Sequence, residues 1–105
     1  MTISEVAAMT IVELHHTTLP TCAGELELLA EKVLNCRMML RLSGVQTITA
    51  NGVVMTLDEA CDHVFDRLNK ALLESVSLKL NFVKSAKFTQ DWFGNTGVTV
   101  ILHLD

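Results

Sequence analysis

Proline is almost missing from this chain: Pro20 is the only one in 105 residues. One hard break therefore exists, and proline-rich linkers or spacers are excluded. No apolar run approaches the roughly eighteen residues that a membrane-spanning helix requires. Half of the residues are nevertheless hydrophobic, so that surplus belongs to a packed interior or to an interface. Basic residues are absent from positions 1–31, which carry Glu5, Glu13, Glu25, Glu27 and Glu31. The lack of an early Lys or Arg, with Thr10 and Glu13 interrupting the apolar stretch, argues against a secretory leader. Three cysteines, Cys22, Cys36 and Cys61, form no C-x-x-C pair and are odd in number. That pattern fits a reducing cytoplasm, the expected location, better than a disulfide scaffold. Phosphate-cradling G-x-x-x-x-G-K-[ST] and G-x-G-x-x-G motifs are missing too, so neither a cofactor nor a metal site is expected.

What is present describes one α+β domain over residues 1–105. Charged residues make up only 19%, which together with the apolar content excludes a disordered chain. The net charge of −4 and pI near 5.4 argue against nucleic acid as a partner. Lys79, Lys84 and Lys87 gather toward the C-terminal end. Such asymmetry can orient an oligomer, or it can simply mark ordinary solvated faces.

The sharpest local signal is Asn51-Gly52, flanked by Val45–Ala50 and Val53–Thr56. Both positions of a two-residue hairpin turn need φ > 0, which Asn and Gly accept, so two short strands are predicted. Thr56-Leu57-Asp58-Glu59 then reads as a capping box opening a helix. Leu57, Ala60, Cys61, Val64, Phe65, Leu68, Ala71 and Leu72 give that helix one apolar stripe. From Val76 the period changes to two, predicting a strand that runs past a bend to about Thr89. Asp91–Gly97 reads as a connection and Val98–Leu104 as the last strand. Upstream, Thr21 can cap a helix with Leu26, Leu29, Val33, Cys36 and Leu40 at helical spacing, Arg41 near its end and Gly44 at C′. It is drawn to Leu42, although a helix ending near Asn35 followed by a strand also fits. Met9–His16 reads as a strand, with a short helix over Ser4–Leu14 as the alternative.

The expected order is therefore (β)αββαββ, a split-βαβ or ferredoxin-like variant with two helices on one face of a mostly antiparallel sheet. On the last strand Val98, Val100, Leu102 and Leu104 alternate with Thr99, Ile101 and His103. Directing the first set at the helices leaves a half-apolar open face, which an antiparallel sheet commonly buries against a second copy. Homo-oligomerisation is the expectation, with Trp92, Phe93, Ile101 and His103 as interface candidates.

Chemistry-bearing residues are few. His15 and His16 lie on opposite faces if they sit in a strand, so one of them can act as a base while the other is packed or solvated. Cys22, in the first turn of a helix, gains thiolate character from the dipole and can pair with either histidine, but it can equally be structural. Asp58, Asp62 and Asp66 share a helix face that can attract a cation, or that Lys70 and His63 neutralise as a solvated surface. The leading functional expectation is a non-enzymatic binding or regulatory module that partners itself. A small-molecule or catalytic pocket using His15 or His16 with Cys22 is the second reading. An acidic chaperone or inhibitor of another protein is the third. Neither nucleic acid nor a membrane is expected as a partner.

Overall fold

A computed structural model describes residues 2–80, 82–90 and 95–103. Its elements are α1 (Ile3–Leu14), α2 (Ala23–Leu42), β1 (Thr47–Ala50), β2 (Val53–Thr56), α3 (Leu57–Ser77), β3 (Val83–Gln90) and β4 (Thr96–Leu102). The fold is α+β, with three helices and two small antiparallel sheets.

The centre follows the local signals closely. Asn51 and Gly52 take φ of 53° and 77°, and β1 pairs with β2 in the register Thr47↔Thr56 to Ala50↔Val53. Thr56 caps α3: its Oγ1 accepts from the Glu59 N–H at 3.1 Å and donates to the Glu59 carboxylate. α2 ends as expected at Leu42, and Gly44 sits at C′ with φ 77°. Gly44 N–H donates to Arg41 O and Val45 N–H to Leu40 O, a complete Schellman motif. Residues 36–42 thus continue the helix. At its other end the N-cap is Cys22 rather than Thr21, and no side chain bonds the first turn.

Three expectations fail. Met9–His16 is not a strand, because α1 runs from Ile3 and takes the alternative helical reading. Thr2 accepts the Glu5 N–H at its start, and Ala7, Ile11 and Leu14 recur at helical spacing on the buried side. Burial of that stripe outweighs the β preference of Thr10-Ile11-Val12. The strand drawn from Val76 is helix as far as Ser77, then turn, and β3 begins at Val83. Val76 extends the Leu68–Leu72 stripe by four residues and packs against the core, which overrides the period-two pattern. The last strand covers Thr96–Leu102, and Leu104 lies outside the described residues.

The single sheet of a split-βαβ arrangement is not formed: β1–β2 and β3–β4 are separate two-stranded sheets. The order is ααββαββ, and α3 organises it by packing against α1, α2, β1, β2 and β3. Ile11, Leu26, Val33, Leu40, Cys61, Val64, Leu68 and Leu72 are fully buried, and among the described residues no polar or charged side chain is buried. Each such Leu or Ile contributes about 1.5–3 kcal/mol by leaving water. This core lies between the helices and the inner face of β3, through Ala86 and Phe88.

Candidate functional site

β3 and β4 form a hairpin whose two strands have different surroundings. Along β3, Ala86 and Phe88 are buried against α3, and Lys84, Lys87 and Thr89 are exposed. Opposite them, Val100 and Val98 pair with Ala86 and Phe88 and share their face. Yet Val98 is 45% exposed, Val100 37%, Ile101 49% and Leu102 37%. α3 packs on β3, and α2 meets β4 with Leu34 and Arg37 near Thr96, so the helix-side face is incomplete only from Val98 onward. This differs from the expectation of one finished and one open face, since both faces of β4 are exposed over Val98–Leu102.

Ile101 stands on the far face beside Ser85, and His103 follows β4, exposed, with its N–H donating to Phe82 O at 2.7 Å. Trp92 and Phe93 lie outside the described residues. The charge-free run Thr96–Leu102 contrasts with β3, which carries Lys84 and Lys87 and a bulge between Val83 and Ser85. Apolar side chains without charge, on an uncovered strand, are the features of a contact surface.

The histidine region is arranged differently from a strand. His15 is the C-cap of α1, and its Nδ1 lies 2.8 Å from Ile11 O. A carbonyl only accepts, so Nδ1 carries a proton and donates it to Ile11 O. The Nε2 of the same ring is buried and has no partner among the described residues. The His63 ring from α3 meets His15 edge-on at 6.1 Å between centroids. Arg67, one turn further along α3, donates to Leu14 O and, at 2.7 Å, to Thr17 O. α1 has no basic residue in its last turn, and Arg67 supplies that charge from another helix. Nothing in the sequence spacing signals this contact, which joins positions fifty residues apart.

His16 is exposed and lines a hollow of about 430 Å³ between α1 and β1, with Met9, Val12 and Thr49. Cys22 is exposed at the start of α2 and does not line that hollow. No hydrogen bond joins Cys22 to His15 or His16 among the described residues. Cys36 and Cys61 are buried, and desolvation pushes both thiols up, Cys61 to about 11. For Cys61 the Arg37 and Arg41 charges oppose that rise, and Asp58 and Asp62 add to it. Neither is a ready nucleophile.

The carboxylate row is not neutralised as expected. Asp58 pairs with Arg41 of α2, the only ion pair among the described residues, while Asp66 has no ion pair to Lys70 or His63. No cluster of three potential metal ligands occurs among the described residues. A further groove of about 470 Å³ runs between α1 and α2 over Ile3, Val6, Leu28, Lys32, Cys36 and Met39. No family model matches the chain, and no curated protein or solved structure is detectably similar to it. Among the described residues no helix is long and apolar enough to cross a membrane. The β4 surface is the feature with the clearest physical demand, because it leaves both apolar side chains and main-chain groups uncovered.

Proposed function

We propose that the chain is a small non-enzymatic binding or regulatory module that acts as a homo-oligomer through the open β3–β4 face. The observation carrying this reading is the exposed apolar row Val98, Val100, Ile101 and Leu102 on a strand that α2 meets and α3 leaves largely open. The surface as a whole agrees. The accessible area is 6967 Å², against about 5,800 Å² for a monomeric globular protein of 11.6 kDa. The excess of about 1,100 Å² is of the size that one partner buries in a standard interface, about 800 Å². Ile101 is the large apolar residue of the far face, and His103 follows at the end of β4. Three free cysteines support a reducing compartment, the cytoplasm.

A pocket using His15 or His16 with Cys22 has less support, since Cys22 stands outside the hollow that His16 lines. The test of the favoured reading is the mass in solution. Wild-type chain at 10–100 µM (roughly the range in which transient interfaces populate) is expected to scatter light as a dimer or larger. Ile101→Asp is expected to lower the mass to that of a monomer with an unchanged far-ultraviolet circular dichroism spectrum. A wild-type chain of monomer mass throughout that range would remove the proposal.

A further inference from the structure

Strand edges differ in how well they are protected in this molecule. β1 and β2 are four residues each, too short to template a partner well. β3 bears Lys84, Lys87 and a bulge, and its outward Phe88 N–H is taken by Asn69 Oδ1 of α3 at 2.9 Å. β4 has none of these devices over Val98–Leu102: no charge, no proline, no bulge, and among the described residues no strand paired along its outer side. We infer that the outer edge of β4 pairs antiparallel with β4 of a second copy, joining two hairpins into one four-stranded sheet. This rests on the oligomer reading above and specifies its partner and register.

The register follows from which main-chain groups are free. His103 N–H points at β3, since it bonds Phe82 O. Phe88 N–H points away from β4, toward Asn69, so its pair with Val98 is a non-hydrogen-bonded one. Both observations give the same alternation: Thr96, Val98, Val100 and Leu102 turn their N–H and C=O outward, away from β3. This alternation allows several registers, and the one with the two-fold axis through Thr99 pairs the whole of Thr96–Leu102. Val98 then meets the partner's Val100, and Thr96 meets the partner's Leu102, each as a hydrogen-bonded pair.

The self-matching alternation of outward main-chain groups and the absence of charge on β4 suit a second copy as the occupant. Two chains of net charge −4 repel, and β4 is a seven-residue stretch where they meet without opposing like charges. In the joined sheet the two copies of β3 lie three strand spacings apart, about 14 Å. The α3 helices above them, each about 10–12 Å across, then flank the Val98 and Val100 rows that neither chain covers alone. One arrangement closes the edge and shields those valines together.

Disulfide trapping tests it. Thr99→Cys is made in a Cys22→Ser background, leaving only buried native thiols, and is oxidised at dilute concentration; Ile101→Cys is the comparison. Facing Thr99 Cα atoms in a non-hydrogen-bonded pair are about 4.5 Å apart, within disulfide reach. Ile101 faces the partner's Gly97, so the two Ile101 positions are about 13 Å apart and beyond reach. Trapping of Thr99→Cys at least tenfold faster than Ile101→Cys is the expected result. Equal rates, or faster trapping at Ile101, in a chain that light scattering shows to be dimeric would overturn the Thr99-centred register and leave the oligomer reading intact. A monomeric wild-type chain would overturn both. Val100→Pro removes an outward N–H without touching the β3–β4 ladder. It is expected to weaken dimerisation at least tenfold while the circular dichroism spectrum is retained, and an unweakened folded dimer would count against the pairing.

Discussion

At the scale of single residues, one of the reactive candidates, His15, has a structural role, and the two stripe cysteines are core as their spacing predicts. His15 holds Ile11 O and touches His63, and Cys36 and Cys61 fill core positions. The raised Cys61 thiol has a consequence for stability. Its value in the unfolded chain is 9.0 and in the fold about 11, so below pH 9 it is neutral in both states. Between pH 9 and 11 the unfolded chain ionises first, and the fold loses roughly 2–3 kcal/mol through this group. Urea unfolding at pH 8, 9.5 and 11 is expected to show that decline in the wild type. Cys61→Ala is expected to be less stable at pH 8, through the cavity it leaves, but to show a shallower decline above pH 9. Equal slopes in both proteins would refute the assignment.

At the scale of elements, legibility tracks how local the deciding interaction is. The β1–β2 turn, the Thr56 cap and the Gly44 terminus each rest on residues within four or five positions of one another, and all three were readable. For α1 the local pattern is ambiguous, favouring a strand over Met9–His16 with a helix over Ser4–Leu14 as the alternative, and the Thr2–Glu5 cap and core contact decide for the helix. The start of β3 was misplaced because Val76 and Leu80 satisfy both periods, and only contact with the core settles which applies. The end of α1 was beyond reach, since Arg67 arrives from α3. Arg67→Ala is expected to cost about 1–2 kcal/mol in urea unfolding, from two charge-assisted bonds at a partly solvated site. Amide hydrogen exchange over residues 14–18 is expected to quicken in the same variant. Arg67→Lys is expected to recover less than half of the loss, because a single ammonium lacks the fork that spans two carbonyls.

At the scale of the whole molecule, the chain is looser than its length requires. The radius of gyration is 14.7 Å, against about 13 Å for a compact domain of 100 residues. A two-stranded hairpin is marginal by itself, and β4 has little contact beyond β3. Assembly would therefore contribute to stability as well as to function. If two copies associate, the midpoint of thermal unfolding is expected to rise with protein concentration, by several degrees from 2 to 200 µM (a hundredfold change, about 2.7 kcal/mol). A midpoint independent of concentration would mean that the hairpin is stable without a partner.

The sequence by itself determined the β1–β2 turn, the Thr56 cap, the Gly44 terminus and the apolar stripes of α2 and α3, because those depend on φ preferences and on spacing along one segment. It also determined that β4 carries apolar residues on both faces and no charge. Only the tertiary structure decided that the two hairpins stay apart, that α3 packs on β3 while α2 meets β4, and that Arg67 and His63 meet the end of α1. Those outcomes depend on where a helix of fixed width lies over a sheet, and spacing along the chain carries no record of that placement.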